Sequence, residues 1–455
     1  MKKHLYLFSI PMFFLLPANA QPARHVVLIT IDGFRPDFYK EDKWGTPNLH
    51  QLVSTGSYAD GVRGVFPTVT YPSHTTIVTG AMPIRHGIYH NTPFEPEGET
   101  GKWYWEYNLI KIPTLWTAVH EAGLKSGAVS WPVTVGAPID YNLPEYRYLD
   151  KKNDHVSPIR DWATPKNLLD LVEQHATGKL REEDMNSDYT VFDDNIARMA
   201  AYIISAYKPA LLAVHLPCVD HAEHAQGREG EQVSRAVAGA DHSIGRILEA
   251  LRQAGIHDST AVIVTGDHGF VDIHTSLSPN IWLQQQGIQT VSDGKGAWKA
   301  RFHTSGASAF LMLHDKNDNK TLSEVRSILE RLPAAQRKLF RMIERPELDH
   351  IGADGNVPLA LAAIPGITMS SSSKGEAVNT AHGGTHGYFP DFKEIETGFI
   401  AAGAGIAKGA VVPKMGLEDI APLITRLLGL KYTAPDGVLY PGLLSGKQVN
   451  LESYK

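Results

Sequence analysis

Two short stretches of this chain concentrate side chains able to hold a metal ion. At 210–224 the sequence ALLAVHLPCVDHAEH runs from a buried-strand pattern into Asp220, His221, Glu223 and His224. Asp220 and His224 are four apart, so one helical turn presents both to one point. Four ligand-type residues within five positions are hard to explain as a solvated turn. At 264–270, VTGDHGF, an apolar run breaks at Gly266 and then offers Asp267 and His268. Alone, such a pair is ordinarily a polar turn after a strand, but other strand ends repeat the pattern. Asp32 closes HVVLITID at 25–32, although a lone carboxylate there is more often a helix cap. AHGGTHGYFP at 381–390 adds His382 and His386. Mixed Asp and His ligands suit zinc, whereas magnesium and calcium prefer all-oxygen shells. Three hydroxyls, Thr68, Thr70 and Ser73, crowd the Pro-punctuated turn of VRGVFPTVTYPSHTTIVTG at 62–80, and spacing does not choose among them. A hydroxyl is a poor nucleophile unless a base or metal activates it. No Ser-His-Asp arrangement is apparent, which leaves metal activation as the economical route.

The elements that must position these residues alternate between strand and helix patterns. Buried-strand runs at 25–32, 210–216 and 261–265 each end in candidate ligands, the place where α/β sheets build their sites. A strand is expected to end in SWPVTVG at 130–136 and a helix to start near Ser73. Helices are expected at 114–122, 165–173, 188–207 and 231–255, and a last strand and helix at 398–405 and 417–428. Between 295 and 380 the long strand-helix repeat is lost, and the pattern reads as an inserted α+β cap. The loop at 91–113 holds Phe94, Trp103, Trp105 and Tyr107, which suit either a substrate mouth or a local core equally well.

The chain has 455 residues, of which 43% are hydrophobic and 20% charged, the balance of a globular protein with a large core. A net charge of -6 without blocks of like charge gives no sign of a nucleic-acid groove. Residues 1–20, with Lys2, Lys3, an apolar run and a closing Ala-Asn-Ala, read as a secretory signal peptide. No later stretch is long enough to span a membrane, so an exported, periplasmic or secreted protein is expected. The one cysteine, Cys218, permits no internal disulfide.

The ordered series TIDG, FPTVTYPSHTTIVTG, HGIYHN, SWPVTVG, VDHAEH, GDHG and GTHGY resembles the alkaline phosphatase superfamily. More narrowly it is similar to the nucleotide pyrophosphatase/phosphodiesterase family, over nearly the whole chain from 26 to 428. The resemblance implies an alkaline phosphatase-like α/β core at 24–294 and 381–440, a mainly parallel sheet with helices on both faces, carrying the cap at 295–380. It implies two zinc ions per chain. Asp32, Thr68, Asp267 and His268 would surround one, and Asp220, His224 and His386 the other. Thr68 would be the nucleophile, and Asn91 the donor to a phosphoryl oxygen. Hydrolysis would pass through a phospho-threonine with net retention at phosphorus.

Family members that prefer monoesters carry a Lys and an Arg just after the central strand, whereas no basic residue occurs here from 130 to 142. A site without those cations favours the single charge of a diester. The expectation is therefore a phosphodiesterase or nucleotide pyrophosphatase acting on a small-molecule diester of nucleotide or lipid-headgroup type. A phosphomonoesterase of the same superfamily, or a non-catalytic metal-binding protein on the same fold, are the alternatives. Sulfatases need a Cys-x-Pro-x-Arg type motif that Cys218 in PCVDH does not supply. Nucleotide-cleaving relatives often have an aromatic immediately after the nucleophile. Val69 stands there instead, leaving Tyr71, Phe94, Trp103 or Tyr141 as replacements for that surface.

Overall fold

The computed structural model describes residues 23–446, apart from 97–99, 152, 187–189 and 291–295. The expected leader at 1–20 lies outside the described residues. The first half of the chain supplies β1 (His25–Ile31), β2 (Ser57–Ala59), α1 (Thr70–Thr79), β3 (Ser126–Val129), β4 (Tyr141–Leu143) and α2 (Val191–Tyr207). It continues with β5 (Leu211–Leu216), α3 (Cys218–Gln226), α4 (Glu231–Gln253) and β6 (Thr260–Thr265). Then come β7 (Ala300–Ser305), β8 (Ser308–Leu313), α5 (Asn319–Glu330), β9 (Phe340–Glu344) and β10 (Leu359–Ala363), and last β11 (Phe399–Gly403), β12 (Val411–Val412) and α6 (Ile420–Leu428).

An eight-stranded sheet in the order β12-β2-β11-β6-β1-β5-β3-β4 forms the centre. β1 pairs in parallel with both β5 and β6, and only β11 runs antiparallel to its neighbours. Because both faces are covered, β1 is buried from Val26 to Ile31 and, apart from Thr30, reads as a continuous apolar run over those residues rather than alternating. Val27, Ile29 and Ile31 face a cluster built with α2 and α4, while Val26 and Leu28 face one built with α6. The fold is the expected α/β class, a mainly parallel sheet between two helical layers. A second, four-stranded antiparallel sheet, β7-β8-β10-β9, packs with α5 around its own apolar cluster of Phe302, Leu311, Val325 and Leu361.

Two local expectations are corrected. The helix after the Pro-rich turn begins at Thr70, three residues before Ser73. Pro72 therefore sits inside its first turn, where a missing N–H costs nothing because that donor has no partner in the helix. The strand expected to end at 130–136 stops at Val129. Ser130 and Val133 take φ of 56° and 57°, left-handed backbone that no strand can contain and that is costly for a β-branched valine.

Candidate active site

Three adjacent strands deliver the candidate ligands from their carboxyl ends. β1 is followed by Asp32, β6 by Asp267 and His268, and β5 leads into α3, which carries Asp220 and His224. The helical turn inferred from the spacing of the last two is present, with Nε2 of His224 3.4 Å from Oδ1 of Asp220. His386 arrives from the far end of the chain, its Nε2 also 3.4 Å from Oδ1 of Asp220. The ligand atoms of Asp220, His224 and His386 lie within 4.8 Å of one another, as do those of Asp32, Asp220 and His268. Asp220 thus belongs to both groups by distance. The second group also reaches Asp267, whose Oδ2 is 3.3 Å from His268 Nε2, itself 3.3 Å from Asp32 Oδ1. Stacking of the His268 and His386 rings, 3.7 Å between centroids, joins the two groups. His382 is exposed and stands outside both.

Hydrogen bonding at the far side of each ring sets what the near side offers. Nδ1 of His224, His268 and His386 faces the carbonyls of Gly384, Gly269 and Thr68 at 3.1, 3.2 and 3.0 Å. A carbonyl only accepts, so Nδ1 carries the proton in each ring and Nε2 presents a lone pair. Those lone pairs point at carboxylate oxygens, an arrangement of acceptor against acceptor. Asp32 Oδ1, Asp220 Oδ1, Asp267 Oδ2 and His268 Nε2 are buried without a hydrogen-bond partner. Burial, followed by the charge of Asp220, holds the Asp32 carboxyl well above the usual range. Burial and then Asp32 do the same to Asp267. Burial lowers His386 to about 4, so the ring is neutral and able to ligate. A cation at this point resolves every one of these conflicts, and the Asp/His donor set fits zinc.

Thr68 is fully buried at the entrance to α1, and its hydroxyl donates to the Tyr388 carbonyl at 3.0 Å rather than to the carboxylates. Thr70 starts the helix and lines the cleft, and Ser73 lies within α1, fully buried. Asn91 uses its Oδ1 to accept from the Tyr71 N–H at 2.9 Å, which leaves its amide NH2 for the cleft that it lines. That cleft, about 420 Å³, is also walled by Asp32, Tyr71, Trp103, Glu145, Asp220 and His386.

Of the proposed aromatic surfaces, Tyr71 and Trp103 line the cleft. Phe94 instead packs on Trp298 and His303, and Tyr141 stacks on Tyr207. The loop at 91–113 divides between cleft wall and local core, since Trp103 lines the cleft and Trp105 is buried in a small cluster with Ile88 and Val135. Two site residues escaped sequence reasoning. His215, on β5, places Nε2 3.1 Å from Asp32 Oδ2, and Glu145 is a cleft carboxylate beside Arg147. A histidine inside an otherwise apolar strand was the available signal for the first; the second had none.

Residues 26–389 match the family described as Type I phosphodiesterase / nucleotide pyrophosphatase. Ectonucleotide pyrophosphatase/phosphodiesterase family member 3 of Mus musculus is 23% identical over 433 residues, 90% of this chain and 43% of that protein. Venom phosphodiesterase CdcPDE of Crotalus durissus collilineatus is 22% identical over 419 residues, 90% of this chain and 45% of that protein. The chain thus spans about half the length of these curated relatives. Human ectonucleotide pyrophosphatase / phosphodiesterase 5 has the same fold at a TM-score of 0.66 and 19% identity, over 93% of this chain and all of that one. With a match that takes in most of its length, the chain belongs to the Type I phosphodiesterase / nucleotide pyrophosphatase family.

Proposed function

We propose that the protein is a zinc-dependent phosphodiesterase or nucleotide pyrophosphatase that works through a phospho-threonine on Thr68. The observation that carries this reading is the set of three imidazole lone pairs opposed to Asp32, Asp220 and Asp267 beside a buried threonine and a helix N-terminus. Asp32, Asp267, His268 and Thr68 would hold one zinc, and Asp220, His224 and His386 the other, with Asp220 close enough to influence both. The pair of ions would supply Lewis-acid charge to the phosphoryl group and ease ionisation of a hydroxyl.

This chain's own residues do the rest. Thr68 Oγ1 forms the bond to phosphorus as the ester P–O bond breaks and the alcohol leaves. Water then cleaves the Thr68–phosphoryl bond, so two inversions give net retention. The Asn91 amide donates to an equatorial oxygen, where negative charge grows, and the N-terminus of α1 adds a favourable dipole. His215 orients Asp32, and Tyr71 and Trp103 offer flat apolar surface to the alcohol portion of the substrate.

Diester preference is supported by charge. Among the described residues, the one guanidinium lining the cleft is that of Arg147, which lies 3.9 Å from Glu145 and 5.7 Å from the Trp103 ring, its charge partly offset by that carboxylate. A dianionic monoester would meet Glu145 without the paired cations that stabilise it. Nucleotide-type substrates gain support from murine ectonucleotide pyrophosphatase / phosphodiesterase 5, 21% identical and solved in an inactive form in complex with AMP. Export, to the periplasm or the medium, rests on residues 1–20 and on the ecto and venom enzymes among the relatives. No helix among the described residues is long and apolar enough to cross a membrane. The chain divides as a catalytic core at 24–294 and 381–440 with an inserted cap at 295–380.

Zinc-loaded protein should cleave bis(p-nitrophenyl) phosphate far faster than p-nitrophenyl phosphate. Preference for the monoester would overturn the diesterase assignment, and turnover of neither would overturn an enzymatic role.

A further inference from the structure

Among the described residues, none that lines the cleft comes from 296–380, so the four-stranded sheet does not wall that space. It packs in part on the helix at Pro279–Gln285, and others of its contacts with the rest of the molecule fall beside candidate catalytic residues. Phe310 on β8 lies 5.1 Å from Phe66 and 4.6 Å from His90, ring to ring, and Phe66 lies 5.0 Å from Phe389. Phe66 precedes Thr68 by two residues, His90 immediately precedes Asn91, and Phe389 follows His386 by three. All three are buried, in positions where a shift of one ring must displace the next.

Polar contacts repeat the pattern. In the tight turn between β7 and β8, the Ala307 N–H donates to the His386 carbonyl at 2.8 Å, and the Ser308 hydroxyl donates to the Gly387 carbonyl at 2.6 Å. Gly306 passes so close to His386 that a β-carbon there would come within 2.2 Å of its carbonyl oxygen, which only glycine permits. On the other side of β7, His303 is buried and its pKa is lowered to about 3 by burial, so it is neutral with a single N–H. That N–H, on Nε2, is directed at the Thr92 carbonyl at 3.2 Å, while the ring packs edge-to-face on His90 at 4.7 Å. Arg301 donates to the Pro96 carbonyl at 3.1 Å. The segment bearing Asn91 is therefore held from the β7–β8 hairpin at residues 90, 92 and 96.

We infer that the inserted sheet is the frame that sets Asn91, Thr68 and His386 relative to one another, and that His303 is the positioning residue for Asn91. This rests on the role given to Asn91 above. His303 touches neither substrate nor ligands; it acts by fixing the carbonyl one residue beyond Asn91 and the ring one residue before it. A donor displaced by an ångström loses much of its value in the transition state while substrate binding changes little.

The test is a double-mutant cycle on zinc-loaded protein with bis(p-nitrophenyl) phosphate, using His303→Ala, Asn91→Ala and the pair, with zinc content measured throughout. His303→Ala should lower kcat by about 10-fold or more with KM and zinc content little changed, since misplacing a catalytic group can cost up to about 100-fold. In the Asn91→Ala background the same change should cost less than about 2-fold, because residues acting as a unit are not additive. His303→Gln, which keeps a donor, should recover most of the loss. Where His303→Ala does not fold, His303→Leu fills the space without the donor and completes the same cycle. An equal drop in both backgrounds, or loss of zinc with the His303 change, would overturn the inference while leaving the function standing. Wild-type turnover by Asn91→Ala would overturn the role of Asn91 and the inference with it.

Discussion

Nε2 of His215 lies 3.1 Å from Oδ2 of Asp32, and the ring's other nitrogen lies 3.1 Å from the Ser130 carbonyl. Both partners are acceptors, so the ring bonds to them together with a proton on each nitrogen, and one of the two carboxylate oxygens of Asp32 is then committed to it. The other oxygen, Oδ1, is the one that faces His268. Supports of this kind hold a ligand in its binding orientation, and their loss typically costs about 10- to 100-fold in metal affinity. His215→Ala should weaken zinc binding by that factor at the site shared by Asp32 and His268, leaving the Asp220, His224, His386 group occupied. Competition with a chromogenic chelator measures this. Unchanged affinity at both sites would remove His215 from the metal's support.

Asp220 is placed within reach of both ligand groups, whereas His224 is in one. Asp220→Ala should therefore lower zinc content from two toward zero, and His224→Ala from two toward one. Elemental analysis of dialysed protein distinguishes them. Equal losses would show that the groups do not share Asp220.

Thr68→Ala should abolish turnover, by at least about 1000-fold as for loss of other nucleophiles, with zinc content nearly intact. Its hydroxyl donates to Tyr388 and contributes a single buried hydrogen bond, so stability should fall by only about 1 kcal/mol. A chirally labelled diester should react with retention in the unmodified protein. Inversion would exclude a covalent step at Thr68.

Asp193, on α2, accepts from the Cys218 N–H at the start of α3 at 3.3 Å, one oxygen remaining without a partner. Burial raises its pKa from 3.8 to about 6, against the lowering pull of the Cys218 hydrogen bonds. A carboxyl with a higher pKa folded than unfolded binds more protons in the native state. Its contribution is therefore full below pH ~4 and is lost as pH rises through about 6. The loss amounts to ~3 kcal/mol. Asp193→Asn keeps an acceptor for Cys218 and cannot ionise. Urea denaturation should show it gaining stability over the unmodified protein at pH 7.5 and no such gain at pH 4; a gain independent of pH would contradict the assignment.

Local pattern carried much of the fold. Apolar runs closing on Asp32, Asp220 and Asp267 were legible because strand burial and strand-end ligands both leave marks within a few residues. The same holds for the i, i+4 spacing of Asp220 and His224. Thr68, Thr70 and Ser73 could not be separated by spacing, because what distinguishes them is the pairing of the Thr68 segment with residues 386–388, more than 300 positions away. His215 stood out locally only as a histidine in an apolar strand; its tie to Asp32 comes from the parallel register that sets Thr30 beside it on β1, two residues from Asp32. The positive φ values of Ser130 and Val133 likewise contradict the β-forming character of SWPVTVG, in which Pro132 was the one local sign against a strand.

His386 lies beyond the β7–β8 hairpin in the chain, yet its carbonyl is held by that hairpin and its ring closes the group begun at Asp220. During synthesis from the amino terminus, every other candidate ligand exists before the hairpin does. The last one cannot be seated until the hairpin has folded and the chain has passed it. Such high sequence separation makes closure a late event. A growing or truncated chain that stops short of residue 386 has six of the seven candidate ligands but cannot complete either the imidazole set or the stack on His268. Full metal occupancy is then a signature that the whole fold has been assembled.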